Sequence, residues 1–499
     1  MKNARPAEAL LAAQREDFGR DGEERAAVPL CVDLDGTLIA TDVLHEGLGW
    51  IATHDPLALL RVPGWWRRGR QHVKSRVAAL ADVPAVDLPL RPEVVELIRR
   101  ASADGRQVIV VTAAADEAVQ DLAAVVPGVS EVVGSTERRG NLSGERKAAY
   151  LVDRFGPGGF DYVGDSSADL AVWATARSAF AVAPSSAVAR RLDALDVDAT
   201  VLPAKSSAPR SWLRQIRLHQ AAKNALVFAP LVLAHEIFDL GLLGRALAMA
   251  VAFTMLASAT YIWNDLHDLA DDRAHPSKRF RPLAAGDIGI LPALAAALAL
   301  TLGALALGFA LGLPSLAILL AYLSLTLWYS ARLKRMIVAD AIALAALFTL
   351  RILGGAAATA LEVTIWLILV STFLFFSLSL MKRYSEYVKY EIESSPGRGY
   401  FATDAATLQM LGVGSALVSA LVMGLYVASD DVVAHYSTPE LLWAVVPLLL
   451  YWVSRLWILT GRGHIDDDPV LYAIKERASQ VVGLAIVIVL VAATVVDLG

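Results

Sequence analysis

Residues 28–38 read VPLCVDLDGTL and decide how the first part of the chain folds. The apolar run Val28 to Val32 has the character of a buried strand, and two carboxylates, Asp33 and Asp35, follow it directly. Gly36 allows a sharp turn after them. Carboxylates at positions i and i+2 beyond a strand end can reach one Mg²⁺ ion and one phosphorus centre. By itself the pair is a weak signal, and its meaning depends on the motifs that follow.

Short apolar runs of the same kind recur at residues 107–111 and 160–163, separated by longer helix-like stretches. This alternation is typical of an α/β domain with a mostly parallel sheet. We expect the domain to span residues 28–201. A flexible or loosely helical leader, residues 1–27, precedes it, and a linker at residues 202–216 follows it.

Four polar motifs follow one another along this domain. They contribute the side chains of Asp33, Asp35, Thr112, Lys147, Asp165 and Asp169. Their types, order and positions after strand-like runs resemble the haloacid dehalogenase (HAD) phosphatase superfamily over residues 28–201. The resemblance implies a Rossmann-like fold and the hydrolysis of a phosphate ester.

The resemblance also implies a role for each side chain. Asp33 attacks phosphorus to give an aspartyl-phosphate, while Asp35 protonates the leaving oxygen and then activates water. Thr112 and Lys147 neutralise phosphoryl oxygens, and Mg²⁺ assists them. The implied carboxylates of the magnesium site are Asp33, Asp35, Asp165 and Asp169.

The segment at about residues 40–90 lies between the first and second motifs. In this superfamily such an insert resembles a helical cap that covers the site and selects the substrate. It carries Trp65, Trp66 and a basic cluster. The members of that cluster are Arg67, Arg68, Arg70, His72, Lys74 and Arg76. Two interpretations stay open: the cluster binds a second anionic group, or it forms a solvated or membrane-surface helix with both tryptophans at the interface.

Composition excludes a purely soluble protein. Of the 499 residues, 56% are hydrophobic and only 19% are charged, whereas soluble domains carry about 25% charged residues. The net charge of −5 shows no overall excess of positive charge and argues against a nucleic-acid partner. Cys31 is the single cysteine, so it forms no internal disulfide and supports no zinc or iron–sulfur cluster. We expect it to be a buried thiol in a reducing compartment.

Long apolar stretches begin after Leu218, each about long enough to cross the ~30 Å hydrocarbon core of a bilayer. We expect nine spans, at residues 224–242, 246–263, 290–311, 314–331, 336–357, 363–381, 407–427, 441–459 and 479–497. Lys and Arg concentrate in the loops after the even-numbered spans. This bias predicts that those loops and the N-terminal domain face the cytoplasm, with Gly499 outside.

An acidic motif, NDLHDLADD, begins at Asn264 directly after the second span. On a continuous helix, Asp265, Asp268 and Asp272 share one face. Crowded carboxylates of this kind favour Mg²⁺ that bridges to substrate phosphates. A basic stretch follows and supplies cations for phosphate or diphosphate. Its members are Lys278, Arg279 and Arg281.

The acidic motif and its basic stretch, set among apolar spans, resemble the UbiA superfamily of intramembrane prenyltransferases over residues 217–499. Several features resemble its branch that transfers phosphoribose from phosphoribosyl pyrophosphate (PRPP) to polyprenyl phosphate. They include Lys223, Asn224, Tyr329, Lys334, Lys382, Arg383 and the run from Asp466 to Arg477. The resemblance implies phosphate-binding roles for the basic members and, as partners, PRPP, polyprenyl phosphate and membrane lipids.

Two further residues bear on the choice of branch. Aromatic prenyltransferases of the superfamily usually carry a second motif, DxxxD, whereas here Asp340 has Leu344 at the partner position. This departure favours an acceptor that is already a phosphate. Arg351 lies inside a span, where an ionisable residue indicates a functional site. A structural pairing with a neighbouring carboxylate is an equal alternative for it.

The leading hypothesis is a bifunctional membrane enzyme. Its membrane half makes a polyprenyl-phosphoryl 5-phosphoribose, and its HAD half removes the 5-phosphate. One alternative is an aromatic prenyltransferase that uses a polyprenyl diphosphate, with a phosphatase of separate substrate. Another treats the HAD half as a regulatory or assembly module. Polyprenyl chain length, the destination of the sugar and oligomeric state stay open.

Overall fold

The computed structural model describes residues 28–136, 138–203, 208–390, 399–433, 436–465 and 468–495. The predicted leader, residues 204–207 of the linker, Asp466 and Gly499 lie outside these ranges. The chain divides into two compact units, Met1–Ile216 with Ile262–Ala296, and Arg217–Tyr261 with Ala297–Gly499. Residues 262–296, which the sequence analysis placed with the membrane domain, thus belong to the first unit.

The described residues of the first unit form a parallel six-stranded sheet in the order β3-β2-β1-β4-β5-β6. The strands are β1 Leu30–Val32, β2 Val108–Ala115, β3 Glu131–Ser135, β4 Asp161–Gly164, β5 Ser178–Val182 and β6 Asp198–Leu202. Cys31 pairs with Ile109 on one side and Tyr162 on the other, and these three residues belong to one hydrophobic core. Leu30 and Val32 belong to a second core, because side chains alternate between the two faces. The predicted parallel α/β fold is confirmed.

Nine α-helices lie between residues 43 and 215 of the first unit, within the described ranges. They are α1 Val43–His54, α2 Val62–Trp66, α3 Arg70–Leu80, α4 Pro92–Ala103, α5 Leu122–Val125, α6 Glu145–Phe155, α7 Leu170–Trp173, α8 Ser186–Leu192 and α9 Ala208–Gln215. Short 3₁₀ segments lie at Pro56–Arg61, Ala85–Asp87, Asp116–Ala118 and Ser167–Asp169.

Helices α1 to α3 build a small helical subdomain from the insert that follows β1. Its core consists of Ile51, Ala58, Trp65, Val73 and Val77. Trp65 is 8% exposed, whereas Trp66 is 59% exposed. The interpretation that places both tryptophans at a membrane surface is therefore wrong for Trp65, because its indole completes this core.

The remaining α-helices begin at residue 229. They are α10 Ala229–Leu233, α11 Leu240–His267, α12 Leu269–Ala274, α13 Ile290–Leu311, α14 Leu313–Ala331, α15 Ala339–Thr359, α16 Ile365–Tyr390, α17 Ala405–Val427, α18 Asp430–Val433, α19 Val445–Gly461, α20 Pro469–Lys475 and α21 Arg477–Val495. Further 3₁₀ segments lie at Leu218–Phe228, Lys278–Phe280, Leu333–Arg335, Ala402–Asp404 and Pro439–Ala444.

Among the described residues, eight helices are long and apolar enough to cross a membrane, and they make this an integral membrane protein. They are Leu240–His267, Ile290–Leu311, Leu313–Ala331, Ala339–Thr359, Ile365–Val388, Ala402–Val427, Pro439–Gly461 and Arg477–Val495. The first of the nine predicted spans, residues 224–242, is not one continuous helix. It comprises part of a 3₁₀ segment, the short α10 and a break where His235 has φ of 60°. Hydropathy measures composition and does not reveal such a break.

Helix α15 is the most buried of the eight, with 61% of its most apolar stretch inside the protein. Gly355 explains part of this packing, since a Cβ there would lie 1.9 Å from the carbonyl oxygen of Val227. The 3₁₀ segment Leu218–Phe228 consequently approaches α15 backbone to backbone. Small residues allow such approach between helices within a membrane.

The loop between α11 and α13 is anchored inside the first unit. The Arg273 guanidinium binds the Glu46 carboxylate of α1 at 2.7 and 3.1 Å, and it also donates to the carbonyl of Asp87 at 3.0 Å. Gly286 has φ of +75°, and a Cβ there would lie 2.5 Å from Cβ of Ala40. A buried ion pair and a close backbone approach thus hold the acidic motif's loop against the N-terminal domain.

Candidate functional site

The first candidate site lies where the chain leaves β1. Asp33 and Asp35 follow the strand, and Gly36 between Asp35 and Thr37 has φ of +78°. A Cβ on Gly36 would lie 2.4 Å from Oδ2 of Asp165. Glycine is therefore required twice here, once for the turn and once for the approach of the Asp165 carboxylate.

Three of the predicted carboxylates converge. One oxygen each of Asp33, Asp165 and Asp169 lies within 4.8 Å of the other two. Asp35 is not a member of this group among the described residues, because its Oδ1 accepts the backbone N–H of Val43 at 2.8 Å, at the start of α1. The structure thus separates one carboxylate on the helical-insert side from a three-carboxylate cluster over the sheet.

Lys147 is the cation of this cluster. Its Nζ donates to Oδ1 of Asp33 at 2.5 Å and to the hydroxyl of Tyr162 at 3.0 Å, and it lies 4.0 Å from Asp169. Tyr162 in turn donates to Oδ1 of Asp169 at 2.8 Å. The backbone N–H groups of Asp165 and Ser166 donate to the other oxygen of Asp169. Asp169 is therefore an orienting group for both Lys147 and the loop that carries Asp165.

Tyr162 belongs to this site although it was not predicted from the sequence. Its signal was a hydroxyl-bearing side chain within the apolar strand-like run at residues 160–163. A tyrosine in such a run is usually read as core, and its ring does belong to the core under the sheet. Only the three-dimensional arrangement shows that its hydroxyl links Lys147 to Asp169.

Burial and mutual repulsion dominate the electrostatics of the cluster. Burial, followed by the charges of Asp33 and Asp169, raises the pKa of Asp165 to about 7. Burial, followed by Asp42 and Asp33, raises the pKa of Asp35 to about 7. Burial also raises the pKa of Asp33, and Lys147 opposes that rise. Three crowded carboxylates around one lysine form an all-oxygen donor set of the kind that Mg²⁺ prefers, so the residues fit that ion.

Thr112 lies elsewhere than predicted along its strand. Strand β2 continues to Ala115, so Thr112 is an internal, fully buried strand residue and not the residue after the strand. Its Oγ1 accepts the backbone N–H of Ala114 at 2.9 Å. In the described part of the chain, this hydroxyl has no hydrogen bond to another predicted site residue.

The second candidate site is the acidic motif of the loop after α11. Nη1 of Arg281 donates to Oδ1 of Asp265 at 3.1 Å and to Oδ2 of Asp272 at 2.6 Å. Gln215 donates to the other oxygen of Asp265 at 2.8 Å. Nζ of Lys278 lies 4.0 Å from Asp272. The cation between the Asp265 and Asp272 carboxylates is thus the Arg281 guanidinium.

The predicted three-carboxylate face of this motif is wrong in one respect. Helix α11 ends at His267, and Asp268 has non-helical φ and ψ of −93° and 20° before α12 begins. The continuous helix that would align the three carboxylates is therefore interrupted. Asp265 and Asp272 are buried while Asp268 is half-buried, and among the described residues these three do not form a cluster like that of Asp33.

A buried network in the second unit contains three predicted site residues. Nε of Arg383 donates to Asp340 at 2.6 Å and Nη2 donates to the hydroxyl of Tyr329 at 2.9 Å. Tyr400 donates to the other oxygen of Asp340 at 2.6 Å, and Glu386 accepts from Nη1 of Arg383 at 3.1 Å. Arg383 is 1% exposed. Its charge is thus already balanced by carboxylates, which does not suit the predicted phosphate-binding role.

A second network joins Lys223, Asn224 and Arg351. Lys223 forms an ion pair with Asp468, and the bound lysine holds the pKa of Asp468 below its usual range although burial raises it. Asn224 accepts from Nε of Arg351 at 2.9 Å, and Arg351 donates to the hydroxyl of Tyr322 at 3.0 Å. Within the described ranges Arg351 has no carboxylate partner, so the structural ion pair considered for it is not found.

The other predicted binding residues lie at the ends of helices or in turns. Asn264 is half-buried on α11, and Arg279 is exposed and stacks on Phe280 with 4.9 Å to the ring centroid. Lys334 is half-buried in the 3₁₀ turn Leu333–Arg335, and Lys382 is half-buried on α16.

The fold and these sites define an integral membrane protein with a charged site in the loop after a spanning helix and an α/β domain that bears a carboxylate cluster. The chain belongs to the UbiA prenyltransferase family, whose model matches residues 225–494.

Relatives resemble either the whole chain or its membrane part. The "Uncharacterized protein y4nM" of Sinorhizobium fredii is 38% identical over 467 residues, which are 92% of this chain and 90% of that protein. The "Decaprenyl-phosphate phosphoribosyltransferase" of Corynebacterium glutamicum is 30% identical over 292 residues, which are 56% of this chain and 86% of that protein.

Solved structures resemble each half separately. A UbiA homolog from Archaeoglobus fulgidus, bound to GPP and Mg²⁺, is 16% identical and covers 57% of this chain and 100% of its own, with a TM-score of 0.45. A HAD family hydrolase from Salmonella enterica is 16% identical and covers 35% of this chain and 68% of its own, with a TM-score of 0.27.

Proposed function

We propose that the protein is a bifunctional membrane enzyme. Its membrane half transfers 5-phosphoribose from PRPP to polyprenyl phosphate with release of pyrophosphate, and its N-terminal domain hydrolyses the 5-phosphate of the product. The observation that carries the proposal is the Asp33, Lys147, Asp165 and Asp169 cluster in one chain with a UbiA domain. The 30% identity with a decaprenyl-phosphate phosphoribosyltransferase supports the choice of donor and acceptor.

Hydrolysis uses the geometry beside β1. An oxygen of Asp33 attacks phosphorus, and the bond from phosphorus to the leaving oxygen breaks. Asp35, whose pKa is raised, carries the proton that the leaving oxygen takes up. Asp35 then accepts a proton from the water that attacks phosphorus, the bond from phosphorus to the Asp33 oxygen breaks, and inorganic phosphate leaves with the Asp33 carboxylate regenerated. Mg²⁺ held by Asp33 and Asp165 would supply positive charge to the phosphoryl oxygens, and Lys147 adds its own.

Phosphoribosyl transfer needs positioning and charge more than proton transfer. The polyprenyl phosphate oxygen is ionised at neutral pH, so it attacks C1 of the ribose without a general base while pyrophosphate leaves. Asp265 and Asp272 would hold Mg²⁺ for the pyrophosphate of PRPP. Arg281 and Lys278, which contact or approach these carboxylates, bind its oxygens. Arg279, Lys334 and Lys382 are further phosphate-binding residues in this proposal.

The buried networks have supporting roles. The Arg383 network fixes Asp340 and Tyr329 within the second unit and is a positioning element. Asp340 accepts hydrogen bonds from Arg383 and Tyr400, so it does not offer the free carboxylate of a second acidic motif. This pairing disfavours the aromatic-prenyltransferase alternative.

The proposed topology places the N-terminal domain and the acidic loop in the cytoplasm and Gly499 outside. It requires that residues 218–233 cross the membrane as well as the eight long helices. Eleven residues of 3₁₀-helix followed by five of α10 reach about 30 Å at the usual rises per residue. That length matches the hydrocarbon core, which supports nine crossings.

Mass spectrometry of lipid products tests the proposal. Membranes that contain wild type, Asp33→Asn or Asp153→Asn receive PRPP, Mg²⁺ and polyprenyl phosphate. We expect a dephosphorylated ribosyl lipid from wild type and from Asp153→Asn, whose carboxylate is exposed on α6. The 5-phosphorylated lipid should accumulate with Asp33→Asn.

Each contrary result points to one alternative. Absence of any phosphoribosyl lipid from all three proteins would exclude PRPP as donor. Identical dephosphorylated products from wild type and Asp33→Asn would assign the N-terminal domain a regulatory or assembly role.

A further inference from the structure

The members of the basic cluster in the helical insert differ in their exposure to solvent. Four of its members, Arg67, Arg68, Arg70 and Arg76, are exposed. Lys74 on α3 instead points into the first unit and is 7% exposed. The surface-helix interpretation of the cluster thus fits most of its members but fails for Lys74.

Lys74 is buried against neutral oxygens. Its Nζ donates to the carbonyl of Ala113 at 2.5 Å and to Oδ1 of Asn141 at 3.3 Å. Within the described ranges no carboxylate oxygen lies within 4.0 Å of this nitrogen. Burial lowers the pKa of Lys74, and the more distant charges of Asp35 and Asp42 oppose that change. A buried ammonium without a carboxylate partner is unfavourable unless a ligand supplies the missing negative charge.

A cavity of about 280 Å³ joins Lys74 to the site described above. Asp35 and Lys74 both line it, and Val43, Gly47 and Val77 supply apolar wall. Exposed carboxylates also line it, at Asp82, Glu117 and Asp121, so Lys74 is the cationic side chain of an otherwise acidic lining. Its volume is close to the lower end of small-molecule sites. It suits a sugar-sized group and is far too small for a polyprenyl chain. Since Asp35 is the proposed acid for the leaving oxygen, the cavity lies on the leaving-group side of the reaction.

We propose that Lys74 binds a second anionic group of the phosphatase substrate, carried by the leaving group within this cavity. The inference rests on the proposed function and deepens it. It predicts that the N-terminal site prefers a sugar phosphate with a further phosphate or phosphodiester over one with a single phosphate. In the proposed lipid product, that further group is the phosphodiester at C1 of the ribose.

The test compares two soluble substrates with the full-length protein in detergent and Mg²⁺. One is ribose 5-phosphate. The other is 5-phosphoribosyl methyl phosphate, which adds a phosphodiester at C1 without a lipid. Phosphate release gives kcat and KM for wild type, Lys74→Met, Lys74→Arg and Arg70→Met. Arg70 is the matched control, since it is exposed one turn earlier on the same helix.

We expect wild type and Arg70→Met to favour the phosphodiester substrate by about 10- to 100-fold in kcat/KM, the worth of a charge-assisted hydrogen bond. Lys74→Met should lose this preference through a higher KM for that substrate alone. Its kcat/KM for ribose 5-phosphate should stay within about threefold of wild type. Lys74→Arg keeps the charge and should retain part of the preference.

Several results would overturn the inference. An equal loss on both substrates would make Lys74 a structural residue or a ligand of the transferred phosphate. A wild type that hydrolyses both substrates equally would overturn the inference but leave the proposed function standing. A wild type that hydrolyses p-nitrophenyl phosphate and neither ribose compound would overturn both.

Discussion

The two acidic sites of the first unit use the same side-chain type but differ in how their charge is balanced. Lys147 binds Asp33 with a side chain that is only 4% exposed. Arg281 bridges Asp265 and Asp272 with a side chain that is 34% exposed. Water screens the second contact, whereas the first is almost closed to solvent. We therefore expect the lysine to be a fixed part of its site and the arginine to be a counter-ion that a substrate or a metal ion can displace.

The largest expected effect comes from breaking the fixed contact. Lys147→Met leaves the buried Asp33 without its cation, and in the proposed hydrolysis it removes the charge that neutralises the phosphoryl oxygens. We expect phosphatase kcat to fall by at least about 10²-fold. Phosphoribosyl transfer, measured in the same membranes, should be unchanged. Arg146→Met, at the exposed neighbouring position, is the control. Equal loss of both activities would mean that Lys147 stabilises the whole first unit.

The next effect concerns the anchor that holds the acidic loop. Glu46→Gln leaves the Arg273 guanidinium buried without a carboxylate. We expect this to lower the free energy of unfolding by about 3 kcal/mol or more. Limited trypsin digestion at the Arg273 to Arg281 loop, together with thermal unfolding, measures this loss. Glu145→Gln, an exposed carboxylate at the start of α6, should behave as wild type. Unchanged digestion of Glu46→Gln would show that the ion pair does not hold the loop.

A smaller effect is expected at the displaceable counter-ion. Arg281→Gln frees the Asp265 and Asp272 carboxylates for a metal ion but removes a charge that binds pyrophosphate in the proposed transfer. The Mg²⁺ concentration for half-maximal transfer should fall, and KM for PRPP should rise, each by about 1.5- to 5-fold. Arg279→Gln should leave the Mg²⁺ dependence unchanged. If Arg281→Gln changes neither quantity, the bridge seen here has no part in transfer.

A last prediction, which needs no substitution, tests how closed the sheet beneath the first site is. Burial raises the pKa of the Cys31 thiol to about 12, so almost no thiolate exists at pH 8. Alkylation by iodoacetamide should be at least about 100-fold slower in the native protein than in denaturant. Because Cys31 is the single cysteine, intact-mass spectrometry reads the reaction directly. Similar rates in both conditions would mean that β1 opens frequently.

Much of the fold could be predicted because its signals are local. The apolar runs before Asp33 and Asp165 became β1 and β4, and eight of the nine predicted spans correspond to long helices among the described residues. The break at His235 was not predictable, since an apolar stretch folds as one helix or as two segments with the same hydropathy. Thr112 shifted from the end of a strand to its interior because β2 continues to Ala115.

The candidate sites were predicted as sets of residues but not as networks. Arg383 carries the charge expected of a phosphate ligand, yet its guanidinium already donates hydrogen bonds to the carboxylates of Asp340 and Glu386. Trp65 resembles a membrane-interface residue in sequence, yet it is a core residue. In both cases the type of side chain was predictable but the residues it contacts were not, because those residues are not its neighbours in the sequence.

By itself, the sequence determined the fold class, the membrane helices and the types of side chain at each site. These follow from hydrophobic periodicity and from motifs a few residues long, which a linear chain displays directly. Only the tertiary structure decided which cation balances which carboxylate. Lys147 reaches Asp33 across 114 residues, and Lys74 meets Asn141 across 67. Charge interactions act over a few ångströms and depend on burial, so their partners are defined only when the chain has folded.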